Sequence, residues 1–278
     1  MIDELDLYVD ALSNDSEPEA EPEPEVSAEE AIAFLRASLE PSLSSVFPTP
    51  LAHECISDSS LVRWFVSRGR SLERAEKALQ RHCQWRQEQG VSSISKESVE
   101  KELAIDFIVF GGPDTDGFPC VFVFVRNHDK DASTPDEMEK LIIYILEEAL
   151  RKCAEMRAQQ ARDGEDKYRD QFTLIFDLWG FNLQCMNYKA IASLVQVARY
   201  NYPYVIRRVL IVNTPWLFGA CYKIIEKFLP PDAQSLIGFA NCYDEMSAYV
   251  EPRRLPEQTI FAQPKVEKEG DERENGEE

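Results

Sequence analysis

Between residues 104 and 240, short apolar runs rich in β-branched and aromatic residues take turns with segments of helical period, and few folds accept that order. Ala104–Phe110 and Cys120–Arg126 are two such runs, joined by GGPDTDGFP, whose glycines, prolines and aspartates favour a tight turn. Thr134-Pro135-Asp136-Glu137 then supplies a cap, a proline at the first helical position and acids in the first turn. The helix it opens carries Met138, Leu141, Ile142, Ile145, Ala149, Cys153 and Met156 on one face. Phe172–Leu178 is almost unbroken apolar sequence, as in a strand covered on both faces. A helix over 187–200 turns Ile191, Leu194, Val195 and Ala198 inward; Val209–Val212 is another buried-strand run, and Trp216–Leu229 reads as an amphipathic helix. The order strand, strand, helix, strand, helix, strand, helix, strand predicts an α/β domain. Its sheet is mixed and mostly parallel, with crossover helices.

Ahead of this domain, residues 58–90 read as a helical pair. Leu61, Val62, Phe65 and Val66 form one apolar face that ends at Gly69; Ser71 caps a second helix with Leu72, Ala75, Leu79, Cys83 and Arg86 on one stripe. Arg63, Arg68, Arg70, Arg74, Lys77, Arg81 and Arg86 form a cationic run, read as a solvated helical face or a contact for anionic headgroups. Further upstream, Ser27 and Glu30 make a capping-box pattern before Ile32, Leu35 and Leu39. That short helix, near 28–40, either packs on the domain or docks a partner. The chain is thus divided into an acidic, mostly disordered arm (1–46), a helical subdomain (47–92), the α/β domain (93–258) and an acidic disordered tail (259–278).

Charge follows this division. The formal net charge is −20, but residues 1–46 hold 13 acids and one base, and residues 259–278 hold seven acids and three bases. The middle of the chain is close to balanced, so it lacks the basic excess that nucleic-acid binding needs. The longest uncharged stretch, Val209–Tyr222, is too short to span a bilayer, and MIDELDLYVD has neither the basic nor the apolar region of a signal peptide. Seven scattered cysteines without a CxxC pair read as reduced thiols, and three histidines at unhelpful spacing predict no metal site. His128-Asp129 with Asp131, Asp114-Thr115-Asp116-Gly117 and Asp177 read as turn residues, with no catalytic set around them.

The order and the local strings together resemble the CRAL-TRIO lipid-binding domain, the fold of the secretory-pathway phosphatidylinositol/phosphatidylcholine transfer protein and of the tocopherol and retinaldehyde carriers. The resemblance runs from about residue 50 to 257. SDSSLVRWFVSRGRSLERAEKALQRHCQWRQEQGV is similar to the family's N-terminal helical subdomain, and DTDGFPCVFVFVRNHD to its hairpin turn and second strand. FTLIFDLWGF, with Asp177 and Gly180, is similar to the central strand and its exit turn. NYPYVIRRVLIVNTPWLFGACYKIIEKFLP, with Tyr202-Pro203, Asn213, Pro215, Trp216 and Phe218, is similar to the run into a gate helix.

That resemblance implies a hydrophobic pocket floored by the sheet and closed by a movable helix, holding one lipid without catalysis. Trp216, Phe218, Cys221, Ile224, Ile225 and Phe228 are then the pocket and gate residues; Lys223, Glu226 and Lys227 supply the helix's polar side, and such a face suits either a pocket lid or a membrane-surface element. Arg207, Arg208, Lys223 and Lys227 are the candidate headgroup or membrane contacts. In the phosphatidylinositol-transfer members a Glu-Arg pair follows the Tyr-Pro, and a Thr and a Lys follow the gate helix. Tyr204-Val205, Ala233 and Leu236 stand in those places here. Their loss predicts that phosphatidylinositol is not the preferred cargo. The expected protein carries or presents a lipid between membranes and needs no cofactor beyond it. It is expected to be cytoplasmic with peripheral membrane association, and a protein partner would use the N-terminal arm. The alternative is an interaction scaffold whose pocket is closed or degenerate.

Overall fold

The computed structural model describes residues 26–46, 56–159 and 169–261, without the side chains of 41–46. The arm before residue 26 and the tail after 261, both expected to be disordered, lie outside the described residues.

Ser27 and Glu30 cap each other: Ser27 N donates to Glu30 Oε2 (2.9 Å) and Glu30 N to Ser27 Oγ (3.3 Å). The helix they open, α1, spans Ala28–Val46. It packs against α2 (Asp58–Ser67) and α3 (Leu72–Glu88), capped by Ser57 and Ser71. Ala31, Ile32, Leu35 and Leu39 of α1 are buried in one cluster with Leu61 and Phe65 of α2 and Ala75 and Leu79 of α3. The apolar face of α1 is therefore spent inside the protein, as a third member of the helical layer. A short helix α4 (Glu100–Leu103) leads into the sheet.

Five strands follow: β1 (Ile108–Pro113), β2 (Pro119–Phe124), β3 (Phe172–Asp177), β4 (Ile206–Val212) and β5 (Ile237–Ala240). They lie in the order β1-β2-β3-β4-β5, with β1 antiparallel to β2 and all other neighbours parallel. The crossovers are α5 (Pro135–Gln159), α6 (Tyr188–Asn201) and, between β4 and β5, α7 (Phe218–Ile225) with α8 (Pro231–Ser235); α9 (Tyr243–Ser247) comes last. The first strand starts four residues later than its apolar run suggests. Residues 104–107 turn instead, with Asp106 at φ 53°, which breaks the extended run.

Alternation along the strands sorts the side chains onto two faces. Val121, Leu174, Val209 and Ile237 stand in register across β2 to β5, as do Val123, Phe176, Ile211 and Phe239. Their neighbours Cys120, Phe122, Phe124, Ile175, Leu210 and Val212 face the other way and form a closed core with Met246 and Val250, on which Leu255 and Phe261 pack. Residues 250–261 thus run along the back of the sheet as a strap.

A buried carboxylate ties each end of the sheet. At the end where β2, β3 and β4 leave it, Asp177 Oδ1 accepts from Trp179 N and Asn213 Nδ2, both at 2.9 Å, and Oδ2 from Arg126 Nη1 at 3.4 Å. Arg126 and Asn213 also reach the strap, donating to the carbonyls of Gln258 (2.6 Å) and Ile260 (2.7 Å). Gly180, at φ 74°, lets the β3 exit turn pass Arg126, where an added Cβ would meet the arginine's own Cβ at 3.3 Å. At the opposite end, in the β1–β2 turn, Asp114 Oδ2 accepts from Thr173 Oγ1 (2.7 Å) and Arg207 Nη1 (3.0 Å), while its Oδ1 accepts from Asp116 N and Phe118 N.

The helical layer meets the α/β layer through a polar joint. Arg86 of α3 is buried, not solvated, and donates two hydrogen bonds to Glu147 of α5 (2.6 and 3.0 Å). Tyr202 Oη donates to the same carboxylate (2.5 Å), and burial and Glu147 together raise the phenol's pKa. Beside them His82 Nδ1 donates to Asn201 Oδ1 (3.3 Å), its ring set among Trp64, Trp85 and Tyr202. Burial, then the Arg86 charge, pulls His82 from 6.5 down to about 3.

Two outcomes follow for stability. The unfolded chain takes up a proton on His82 near its ordinary value, and the fold refuses it. Stability is therefore complete above about pH 6.5 and falls as pH drops towards 3, by at most roughly 1.4 kcal/mol per unit from this group. Urea unfolding at several pH values should show that slope, and His82→Gln should flatten it. Asp177→Ala should cost about 3 kcal/mol in the same assay, because Arg126 and Asn213 lose their shared buried acceptor.

Candidate functional site

The front face of the sheet is not packed shut. Leu174, Phe176, Val209 and Ile211 floor a cavity of about 830 Å³ whose walls come from α5 (Leu141, Ile142, Ile145), α6 (Ile191, Leu194, Val195) and α7 (Phe218, Tyr222, Ile225). That volume lies in the upper part of the range of small-molecule sites, roughly 300–1,000 Å³. Branched aliphatic and aromatic side chains dominate it, so water inside finds few partners and an apolar guest displaces it favourably.

The two ends differ. Where β2 and β3 finish, Val125, Leu178, Phe181 and Phe218 line the cavity, and the Phe181 and Phe218 rings meet edge to face at 5.6 Å. Where β3 and β4 begin, the lining turns polar, with Arg63, Arg169, Asp170, Gln171, Arg199 and Arg207. Asp170 Oδ2 accepts from Arg157 (2.9 Å), but its Oδ1 is buried without a hydrogen-bond partner. Arg63, on α2, is partly buried and has no ion pair or hydrogen bond among the described residues; its Nε is buried and unpartnered. Burial draws its guanidinium pKa down, against the through-space pull of Asp170 and Glu147. An unpaired guanidinium at the polar end of an apolar cavity suits an amphiphile's anionic group.

The model of the CRAL/TRIO domain matches residues 106–259, more than half of the chain. The chain belongs to the CRAL/TRIO domain family. It is similar to phosphatidylinositol transfer protein CSR1 of Eremothecium gossypii, at 25% identity over 61% of this chain and 36% of that one. It is also similar to CRAL-TRIO domain-containing protein C3H8.02 of Schizosaccharomyces pombe, at 22% identity over 71% and 44%. The chain therefore spans less than half the length of these relatives. The crystal structure of Sfh5 superposes with a TM-score of 0.56 at 12% identity, covering 82% of this chain and 84% of that one, a likeness of fold.

Within this CRAL/TRIO domain, the residues expected at the gate fall into three groups. Phe218 and Ile225 line the cavity. Cys221 and Phe228 are buried beside them in the same apolar cluster without lining it. Ile224 is half-exposed, and Trp216 is 93% exposed. The helix is shorter than its pattern suggests: it begins at Phe218 and gives way to a 3-10 turn over Glu226–Phe228. Trp216 thus precedes it, next to Pro215.

The four expected bases also divide. Arg207 lines the cavity but is held by Asp114 and by Asp116 (2.8 Å), whose pKa it lowers, and it stacks on Phe118 at 4.2 Å. Arg208 lies 3.5 Å from Asp116 and over Tyr249. Lys223 and Lys227 are exposed and make no ion pair among the described residues. Arg63 was hidden in the cationic run of the helical subdomain. Its signal is position: it falls beside Val62 and Val66 on the side of α2 that reaches the cavity. Among the described residues there is no cluster of His, Cys, Asp and Glu fit for a metal, and no helix long and apolar enough to cross a membrane.

Filling the hollow tests its use. Leu194→Trp, directed into the cavity from a partly buried position, should leave the melting temperature within a few degrees while reducing uptake of a fluorescent lipid at least tenfold.

Proposed function

We propose that this chain binds one amphiphilic lipid in the cavity, its chains along the sheet floor and its phosphate at the Arg63 end, and carries or presents it between membranes. The observation behind this reading is the apolar hollow of about 830 Å³ with the Arg63 guanidinium, unpaired among the described residues, at its polar end. The name of the Eremothecium relative, a phosphatidylinositol transfer protein, supports lipid transfer as the activity. A phosphodiester brings one negative charge, which one arginine can neutralise by charge-assisted hydrogen bonds worth about 1.5–3 kcal/mol.

The positions at which the phosphatidylinositol-transfer members carry Glu, Arg, Thr and Lys offer an inositol headgroup little here. Tyr204, Ala233 and Leu236 line this end of the cavity, and Val205 is fully buried behind it. Ala233 and Leu236 bring no polar side-chain atom, and Tyr204 brings one phenol. A zwitterionic phospholipid is the cargo that fits best, with phosphatidylinositol disfavoured.

Native mass spectrometry of the purified chain, followed by solvent extraction, tests this. A bound mass in the phospholipid range is expected, and Arg63→Ala should lower phospholipid retention about tenfold to a hundredfold. A bare polypeptide mass, with no lipid taken up from liposomes, would favour an interaction scaffold. Fast, selective phosphatidylinositol transfer would overturn the cargo assignment.

A further inference from the structure

The polar end of the cavity holds two opposite charges that do not neutralise each other. Asp170, directly ahead of β3, belongs to the lining and is 6% exposed. Its Oδ2 accepts from Arg157 near the end of α5 (2.9 Å), while its Oδ1 is buried and has no donor. Arg63 lies in the same lining and makes no ion pair among the described residues, with Asp170 or any other acid. The Asp170 charge acts on it only through space. Other donors at this end are already committed. Gln171 Nε2 donates to the Tyr204 carbonyl (2.9 Å), and Arg207 donates to Asp114 (3.0 Å) and Asp116 (2.8 Å). Asp232 of α8 also lines this end, but it is exposed, so solvent satisfies its oxygens. Asp170 differs. A carboxylate oxygen kept from water without a donor is costly, and in a cavity lining the donor can arrive with the ligand.

We propose that Asp170 recognises the ammonium of the bound headgroup and selects a phospholipid whose nitrogen carries N–H, an ethanolamine rather than a choline headgroup. This rests on the lipid-carrier reading and adds which zwitterion is carried. An ethanolamine phosphate sets a cation two carbons beyond its anion. The polar end offers an unpaired guanidinium for the phosphate and an unpaired carboxylate oxygen for the ammonium. The last torsion of an aspartate is soft, so Oδ1 can turn to a donor in the cavity while Oδ2 keeps Arg157. Choline carries the same charge, but its nitrogen is wrapped in methyl groups and has no N–H to give. Oδ1 would then stay unsatisfied and be sealed off from water as well. A site that hydrogen-bonds a substrate N–H rejects the analogue without one, because its own buried polar atom is left unpaired.

The full chain is to be incubated with vesicles holding phosphatidylethanolamine, its N-methyl and N,N-dimethyl derivatives and phosphatidylcholine in equal amounts, all with the same acyl chains. Native mass spectrometry then separates the bound species by their methyl groups. The first three each keep an N–H and should be retained alike, whereas phosphatidylcholine should be retained about tenfold less. A smooth decline with each methyl would assign the selection to headgroup size, and equal retention of all four would remove it. Either result overturns the proposal and leaves the carrier reading standing; a bare polypeptide mass would overturn both. Asp170→Asn should bring phosphatidylethanolamine and phosphatidylcholine within about twofold of each other, and a preference that survives this change also overturns the proposal. The methyl series is read on the unaltered chain, so it decides even where the variant does not fold. Displacement of bound lipid by soluble phosphoethanolamine would make the free headgroup the ligand, again overturning the proposal.

Discussion

Asp177 and Asp114 carry negative charge to the two ends of the same buried strands, and the donors each must gather fix where those strands stop. A carboxylate taken out of water is tolerable only when its oxygens are occupied. Asp177 meets that demand with the exits of β2, β3 and β4 and, through Arg126 and Asn213, with the strap on the back face. Asp114 meets it with the beginnings of β3 and β4. Clamping from the ends and the back matters because the front face gives little help. A cavity of about 830 Å³ stands where another protein would have interlocking side chains, and lining atoms without neighbours forgo the dispersion that a filled core supplies. The hollow is possible because the sheet is secured elsewhere.

The order of elements was legible because period survives without tertiary context. The apolar runs Cys120–Arg126, Phe172–Leu178 and Val209–Val212 mark where β2, β3 and β4 lie, and the Thr134–Glu137 box marks the start of α5, where the two residues do cap each other. Asp177 as a turn anchor was readable from its position after an apolar run, and its bond to Trp179 N fits that reading. What escaped the sequence depends on residues far apart in the chain. Arg207 reads as a free base until the β1–β2 turn folds back, 91 and 93 residues away, and offers Asp116 and Asp114. Arg63 and Arg86 look like members of one charged run, yet Glu147 of α5 claims Arg86 and, among the described residues, nothing claims Arg63. Helical period gives the side a residue faces but not what waits there. Trp216 shows the opposite case: beside an apolar helix it reads as a pocket or gate residue, but the helix starts two residues later and leaves it exposed.

The helical layer and the α/β layer are joined by a cluster of buried polar contacts. Glu147 serves Arg86 and Tyr202 together, and His82 is held neutral beside them. A purely apolar seam would allow the layers to slide, whereas two hydrogen bonds from one guanidinium to one carboxylate admit a single register. That register also sets the position of α2, and with it Arg63, relative to the mouth of the hollow. The geometry of the polar end is thus inherited from a contact that never touches it.

The strap has a consequence for how the chain is made. Protein synthesis releases the chain from its first residue to its last, so all five strands leave the ribosome before residues 250–261 do. Until that segment arrives, Leu255 and Phe261 are missing from the back of the sheet, and Arg126 and Asn213 lack the carbonyls of Gln258 and Ile260. The nascent protein therefore passes through an interval in which one sheet face is hollow and the other only partly covered. In that interval a holding chaperone, or the lipid itself, has the most to contribute.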